Sequence, residues 1–183
     1  MRMEAAKDTT LEMFAQTGSY PIRAGNRVRP LIDGEPAFRR ICQAVQSAKR
    51  SVWVTVAFIH DNFEMPDGRG SLFDVLDEAH SRGLDVRTLF WRNNPGSGFN
   101  DSHMFSGDET HRAMLIERNS RFLARWDRAE KNYCQHQKSW IIDAGQDGEV
   151  AFVGGINLEA ESVVSPGHRH GDHRHTHDIY LEL

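Results

Sequence analysis

The sequence predicts an α/β domain with a mixed, largely parallel sheet, and three neighbouring segments carry this prediction. Residues 51–59 are almost wholly apolar and rich in β-branched and aromatic side chains, which is typical of a strand covered on both faces. Residues 71–82 place apolar side chains at helical spacing, and Gly83 ends the helix. Residues 84–91 form the next strand. The order strand, helix, strand indicates a βαβ unit with two parallel strands.

The segments before this unit predict an arm, a strand and a helix. Residues 1–25 are weakly patterned and are interpreted as an N-terminal arm, so that the domain itself spans 26–183. Residues 26–33 contain a short strand, and Pro30 favours a place at the sheet edge because proline cannot donate a ladder hydrogen bond. Residues 35–50 predict a helix, with a proline in its first turn and apolar side chains at helical spacing.

The segments after the unit predict loops, one helix and four further strands. Residues 93–107 are rich in Gly, Asn and Ser and predict a long loop, a kind of segment that is often functional. The later elements are, in chain order, a helix over 108–119, a strand over 121–126, two strands over 135–142 and 150–153 joined by a hairpin turn over 144–148, a polar loop over 159–176 and a last strand over 178–183.

Composition limits the function classes. The chain has 183 residues and a net charge of −4 with His neutral, so nothing in its overall charge attracts nucleic acid or an anionic lipid surface. Two cysteines do not make a disulfide framework, which favours a reducing compartment. No stretch approaches the roughly 18 apolar residues of a membrane span, and no signal peptide is visible. We therefore expect a protein that is cytoplasmic or peripheral to a membrane.

One strand carries the residues best suited to chemistry. Alternate side chains of a strand share a face, so His136 and Lys138 are expected to point the same way. A nucleophile or base beside a cation suits an anionic substrate. Downstream, Gly154 and Gly155 precede Asn157, and glycines let backbone N–H groups come close to an oxyanion. The two stretches therefore predict a phosphate site.

The spacing of these residues resembles the HKD signature of the phospholipase D superfamily. The signature reads His-x-Lys, four residues, Asp, then Gly-Gly-x-Asn. Here its aspartate is Asp143 and its asparagine is Asn157. The strand that starts near Asp178 resembles the one that follows the signature in that family. The resemblance covers roughly residues 26–183 and implies half of an α-β-α sandwich.

The resemblance also implies the roles of the site residues. His136 is expected to be the nucleophile or the acid, with a phosphohistidine as intermediate, and Lys138 and Asn157 are expected to bind phosphate. Asp178 is expected to orient His136, as the carboxylate of a catalytic triad does. Asp143 closes the signature and is assigned a structural role at the strand end. The family chemistry needs no metal and no cofactor.

A single signature leaves the assembly open. One histidine cannot be both the nucleophile and an independent acid for the leaving oxygen, and the family solves this with two signatures that face each other. Either a homodimer partner or a second HKD half of a longer chain would supply the other histidine, and the end of the strand at Leu183 favours the longer chain.

Three functions remain open from the sequence. The Gly-Gly form of the signature resembles the lipid-handling branches, cardiolipin synthase-like phosphatidyltransferases among them, and favours a phospholipid substrate with peripheral membrane contact. A nuclease of the same fold is the alternative, although nucleic acid is less favoured because the chain shows no overall basic charge. A non-catalytic half that serves as a scaffold is the third.

Further residues are candidates for the rim of the substrate site. His60 and Asp61 follow a strand at its C-terminal end, where ligands gather in α/β sheets. Phe99 lies in the long loop, and His177 lies next to the last strand. His177 also ends a histidine-rich run over 168–177, which is interpreted as a solvated loop at the mouth of the site, with a metal cluster as the alternative.

Overall fold

The computed structural model describes residues 25–93, 103–127, 130, 133–168 and 175–183. Within these ranges, three α-helices, one 3₁₀ turn and seven strands follow one another in the order β1 (Arg29–Ile32), α1 (Gly34–Ser47), β2 (Ser51–Val56), α2 (Leu72–Ser81), β3 (Asp85–Phe90), α3 (Glu109–Glu117), β4 (Leu123–Trp126), β5 (Lys138–Ile142), β6 (Val150–Gly154), the 3₁₀ turn (Ala160–Ser162) and β7 (Ile179–Glu182). The elements predicted within these ranges are all present, and the predicted arm lies outside them except for Gly25.

All seven strands form one sheet in the order β1-β7-β6-β5-β2-β3-β4. The predicted βαβ unit is confirmed, because β2 and β3 run parallel from the pair Ser51 and Asp85 to the pair Val56 and Phe90. β1 lies at one edge of the sheet, where its proline is tolerated. The mixed α/β class is therefore confirmed.

The balance of strand directions differs from the prediction. Among the described strands, only β2 with β3 and β3 with β4 pair in parallel, whereas the other four pairs are antiparallel. The sheet is mixed but mostly antiparallel, because hairpin connections such as the one from β5 to β6 replace helical crossovers in the C-terminal half. Parallel pairing is confined to β2, β3 and β4 among the described strands, which is the part of the sheet that contains the βαβ unit.

The core lies on one face of the sheet. α1 presents Phe38, Ile41 and Val45 to this face, and α2 presents Leu72 and Leu76. The helix α2 begins at Ser71, whose hydroxyl and Asp74 form a capping box that satisfies the first N–H groups. The inward row of β5 is Lys138, Trp140 and Ile142, so a charged side chain continues a row of buried apolar ones.

The opposite face of the sheet carries no helix among the described residues. Trp53 and Thr55 on this face are only half-buried, so the prediction that β2 is covered on both sides is wrong for this part of the chain. A cavity of about 480 Å³ lies there against Arg87, Ser139 and Ile141. Within the described residues, none of the helices has the length and apolar character needed to cross a bilayer.

Candidate active site

His136 and Lys138 meet at the first residue of β5. The Lys138 Nζ lies 3.0 Å from the His136 Nε2 and 3.4 Å from its Nδ1. The strand begins at Lys138, so His136 precedes it, and yet the two side chains point to the same place as predicted. In the ladder, Ser139 faces Thr55 and Lys138 faces Gly154, so the pair lies at the edge where β2 and β6 end.

The backbone before β5 is held by Gln135. Its N–H donates to the Asp127 carboxylate at 2.9 Å, and its side-chain amide donates to the Val56 carbonyl at 2.8 Å. The His136 imidazole then stands edge to face with the Phe58 ring, with ring centroids 5.0 Å apart. Contacts at the backbone, the ring and the neighbouring amine fix the imidazole before any substrate binds.

Lys138 is a buried cation. Its residue is 1% exposed, and its Nζ lies 5.4 Å from the centroid of the Phe58 ring. Burial lowers the pKa of Lys138 below its usual range. Three nearby acidic groups partly offset this effect: Asp178, Cys134 and Glu159. A poorly hydrated cation attracts an incoming anion more strongly than an exposed one does.

His136 is exposed as a whole residue, but its ring is partly dehydrated against Phe58. This loss of hydration, followed by the charge of Lys138, lowers the pKa of His136 below its ordinary 6.5. The imidazole is therefore neutral at neutral pH and has a lone pair for nucleophilic attack.

The two glycines take a different role from the one that the sequence predicted. The Gly155 N–H donates to the Ile179 carbonyl at 3.1 Å, so it is engaged within the sheet and not directed at a phosphate. Gly154 pairs with Lys138 on one side and Tyr180 on the other. Both glycines instead allow β7 and its flanking side chain to come close to β6, which is a steric function.

Asn157 keeps an unpartnered polar atom at the same edge. It is half-buried, and among the described residues its Oδ1 is buried without a hydrogen-bond partner. A buried amide with spare hydrogen-bonding capacity is rare in a folded protein and marks a group that awaits a ligand. Because this oxygen can only accept, the phosphate contact expected from the signature would use the Nδ2 donor of the same amide, and that contact stays a prediction.

Asp178 acts on Lys138, and its side chain does not contact His136 in the described structure. One carboxylate oxygen accepts the Ile179 N–H at 2.7 Å. No hydrogen bond joins the carboxylate to His136 in the described parts of the chain, so the predicted orienting contact is absent here. Its negative charge raises the pKa of Lys138, which places it within electrostatic range of the ammonium group.

Asp143 lies at the opposite end of β5 from His136. Its carboxylate accepts the backbone N–H groups of Lys49, Arg50 and Ser51 at 2.7–3.1 Å. Burial by itself would raise the pKa of Asp143, but these N–H groups hold it below its ordinary 3.8. The last member of the signature therefore ties the end of α1 to the start of β2 and lies outside the site.

The family is decided by a match of its model to the greater part of the chain. Residues 41–169 match the family described as cardiolipin synthase, phospholipase D-like domain. The chain belongs to this family. The matched residues include the whole His-x-Lys…Asp…Gly-Gly-x-Asn signature and end before Asp178.

Curated relatives named cardiolipin synthase A match this chain over part of their own length. The chain is 28% identical over 155 residues to cardiolipin synthase A of Pseudomonas syringae pv. syringae (strain B728a), covering 82% of this chain and 29% of the relative. It is 26% identical over 170 residues to cardiolipin synthase A of Pseudomonas entomophila (strain L48), covering 90% and 32%. The chain thus spans about a third of the length of these curated relatives.

A solved structure supports the phospholipase D-like fold. The phospholipase D family member Nuc from Salmonella typhimurium superposes with a TM-score of 0.51 at 18% identity, covering 85% of this chain and 82% of that one. At this identity the likeness concerns the fold alone.

The residues predicted for the rim of this phospholipase D-like site do not all lie together in the structure. The His60 Nε2 lies 3.8 Å from the Glu159 carboxylate, and the His60 N–H donates to Leu158, so His60 borders the segment that carries Asn157. Asp61 is exposed and contacts His103 at 3.2 Å. His177 contacts Asp33, with its Nδ1 2.6 Å from the carboxylate. Phe99 lies outside the described residues.

Three further residues shape the phospholipase D-like site: Gln135, Phe58 and Glu159. Phe58 belongs to the apolar segment 51–59, but it lies two positions after the last residue of β2 and packs against both His136 and Lys138. Glu159 follows the signature by two positions. Its carboxylate lies near His60, and its negative charge raises the pKa of Lys138. A charged residue so close to the Gly-Gly-x-Asn motif was the available sequence signal for Glu159.

Proposed function

We propose that this chain supplies one half of a phospholipase D-type active site, in which His136 becomes phosphorylated during cleavage or transfer of a phospholipid diester. The observation that carries the proposal is the contact between the buried Lys138 ammonium and a neutral imidazole 3.0 Å away. A nucleophile and a cation at this spacing can reach the same phosphate group, the one at phosphorus and the other at a non-bridging oxygen.

In the first step, a ring nitrogen of His136 attacks the phosphorus with its lone pair. The bond from phosphorus to one ester oxygen breaks, and that oxygen leaves with the electron pair and takes a proton from a general acid. Lys138 and the amide of Asn157 stabilise the negative charge on the non-bridging oxygens. The product is a phosphohistidine at His136 and a free alcohol.

In the second step, an oxygen nucleophile attacks the phosphohistidine. Water gives hydrolysis and an alcohol gives transfer, and in both cases the proton of the nucleophile passes to the group that acted as the acid. The bond between phosphorus and nitrogen breaks, and the electron pair returns to His136. The signature of this chain supplies the nucleophile and the cation but no second histidine in the same role.

The general acid is proposed to come from a second HKD half, either in the same full-length protein or in a homodimer partner. The support is chemical, because a phosphorylated His136 cannot protonate the leaving oxygen. The coverage of the relatives is compatible with this division of the site, since the chain matches about a third of their length.

The experiment is to compare the wild type with His136→Ala in the full-length protein. Release of head group from phospholipid vesicles and nicking of plasmid DNA are measured in parallel, with His80→Ala on α2 as a control histidine variant. We expect His136→Ala to lower lipid turnover by at least about 10²–10⁴-fold and His80→Ala to leave it unchanged. An acid-labile phosphate adduct on His136, found by mass spectrometry after rapid quenching, identifies the intermediate.

The outcomes separate the candidate functions. Turnover of lipid without cleavage of DNA supports the proposal, whereas cleavage of DNA alone assigns the chain to the nucleases. Turnover that is undiminished in His136→Ala rejects the mechanism. If neither substrate is turned over and no adduct forms, the chain is a non-catalytic half.

A further inference from the structure

Asp33 is a buried carboxylate, and its position before α1 does not explain why it is buried. It stands directly before α1 at the N-cap position, and yet its side chain accepts no hydrogen bond from the first turn of that helix. It is fully buried. Its backbone has φ 66° and ψ 161°, a conformation that is essentially restricted to glycine. A buried charge needs a compensating partner, so the neighbours of this side chain decide its role.

The two oxygens of Asp33 face two different histidines. The His177 Nδ1 lies 2.6 Å from Oδ1, and the His168 Nε2 lies 3.2 Å from Oδ2. The histidine rings meet edge to face, with centroids 5.3 Å apart. One ligand atom from each of the three residues falls within a group whose members are at most 4.8 Å apart.

The contact between Asp33 and His168 is close but is not a hydrogen bond. The Oδ2 and the Nε2 are 3.2 Å apart, and both are buried without a hydrogen-bond partner in the described residues. An acceptor oxygen and a ring nitrogen that approach without sharing a proton are arranged as two ligands of one cation are. A buried polar group without a partner is otherwise costly, by about 1–3 kcal/mol.

We propose that Asp33, His168 and His177 bind a divalent transition metal ion of the zinc type. Zinc takes imidazole nitrogen and carboxylate oxygen at about 2.0–2.2 Å, so two ligand atoms of a tetrahedral ion lie roughly 3.3 Å apart. The 3.2 Å separation at His168 already fits this spacing, and the exposed ring of His177 has to retreat by less than an ångström. A water molecule would complete the four ligands of such an ion.

The donor set selects the kind of metal. Two imidazoles and one carboxylate suit zinc, cobalt, nickel or copper, whereas magnesium and calcium prefer oxygen ligands alone. The competing explanation is an ion pair between Asp33 and a protonated His177, which would satisfy one oxygen. A second ion pair from a protonated His168 would bring two positive rings to within 5.3 Å of each other for a single negative charge.

The site joins three parts of the chain. Asp33 lies between β1 and α1, His168 lies in the segment that joins β6 to β7, and His177 lies just before β7. The Asp33 N–H also donates to the Asp178 carbonyl at 2.8 Å. A metal ion here would fix the entry into β7 beside Asp178. The proposal does not depend on the chemistry proposed for His136.

The test is metal binding by the full-length protein, purified without a histidine tag and stripped with a chelator. Zinc content is measured after equilibration and gel filtration, and the visible absorption of bound Co²⁺ reports the ligand geometry. We expect one metal ion per chain for the wild type. Asp33→Asn should weaken zinc binding by more than the roughly 10–100-fold that loss of an outer-shell partner costs.

The variants are chosen so that folding does not obscure the result. Asparagine has nearly the same shape as aspartate, so Asp33→Asn makes no new demand on the backbone while it removes the anionic ligand. His177→Ala removes a ligand whose side chain is 71% exposed, and it should lose the metal without unfolding. His80→Ala and His136→Ala should bind zinc as the wild type does, which also separates this site from the proposed phosphate site.

Two outcomes reject the proposal. A wild-type protein that binds no zinc or cobalt shows that the three residues form an ion-pair cluster only. Wild-type affinity in both Asp33→Asn and His177→Ala shows that any metal is held elsewhere, by other histidines of the chain. Circular dichroism of each variant confirms that a loss of metal is not a loss of fold.

Discussion

The Asp178 carboxylate occupies the space that a side chain at Gly155 would fill. A Cβ atom added to Gly155 would lie 2.5 Å and 2.7 Å from the two carboxylate oxygens of Asp178. Because carbon and oxygen cannot approach so closely, the absence of a side chain at Gly155 is what allows the carboxylate to rest there, within the field of Lys138. The second glycine of the signature thus leaves room for the side chain of Asp178.

We expect Gly155→Ala to damage the site more than the fold. The added methyl group displaces the Asp178 carboxylate, which can swing away because it is the end of a side chain. Turnover should fall by about tenfold or more, by analogy with the 10–100-fold cost of losing an outer-shell partner, while the melting temperature changes little. Gly148→Ala is the control, because a Cβ there meets nothing within 4 Å. Equal turnover in the two variants would contradict the assignment.

Gly154→Ala, in contrast, should damage the fold more than the site. A Cβ at this position would lie 2.7 Å from the Tyr180 Cα and closer still to the Ile179 carbonyl, and backbone cannot swing aside. The pairing of β6 with β7 has to open, at a cost of about 1–3 kcal/mol or more. Urea unfolding of Gly154→Ala and Gly148→Ala measures this difference. Stability equal to the wild type would show that the two strands can separate freely.

Lys138→Met is expected to stabilise the protein while it abolishes turnover. Burial lowers the pKa of Lys138 despite the nearby acidic groups, so the fold disfavours the charged form. Methionine fills a similar volume without a charge, and a gain of about 1 kcal/mol in the free energy of unfolding is expected. Thermal and urea unfolding at neutral pH provide the measurement. A clear loss of stability would mean that the acidic neighbours, once unpaired, cost more than the buried cation.

The pH dependence of His136 follows from its surroundings. Partial dehydration and the charge of Lys138 lower its pKa below 6.5, so the neutral nucleophile persists to lower pH than for a free histidine. The acid limb of kcat/KM should therefore have its midpoint below 6.5. An NMR titration of the His136 ring should give the same midpoint, and Lys138→Met should raise it. A midpoint above 6.5 in the wild type would contradict the described surroundings.

Asp143 makes stability depend on acid pH. Its pKa in the folded state lies below the ordinary 3.8 because backbone N–H groups outweigh its burial. The contribution of Asp143 is therefore present above the unfolded pKa and is lost as the pH falls through the lower folded one. Asp143→Ala should cost about 1–3 kcal/mol at neutral pH, since the N–H groups of Lys49, Arg50 and Ser51 lose their acceptor.

The same variant separates structure from chemistry. Asp143→Ala should retain its turnover per folded molecule, because the carboxylate lies at the far end of β5 from His136. Asp143→Asn is the matched variant, since asparagine tolerates the φ of 54° and keeps one acceptor oxygen. Its stability curve should be flatter than that of the wild type below pH 4. A loss of turnover in fully folded Asp143→Ala would return this residue to the site.

The linear sequence was enough to predict the elements and the pairing of His136 with Lys138. Apolar periodicity marks helices and strands because each buries a face of fixed period, and two positions two residues apart share a side. The signature spacing also predicts Asn157 as a phosphate ligand, and this role stays a prediction. These inferences concern neighbours along the chain, for which spacing alone fixes the geometry.

The tertiary structure decided what depends on residues far apart in sequence. Strand order set the mostly antiparallel sheet and brought Asp143 to the N–H groups of residues 49–51, which lie 92 to 94 positions away in sequence. The packing of β7 on β6 turned Gly155 from an expected phosphate contact into space for Asp178. The meeting of Asp33 with His177, 144 positions apart, could not be read from either segment. Spacing determines which side chains share a local face, whereas only the folded sheet determines which distant faces come into contact.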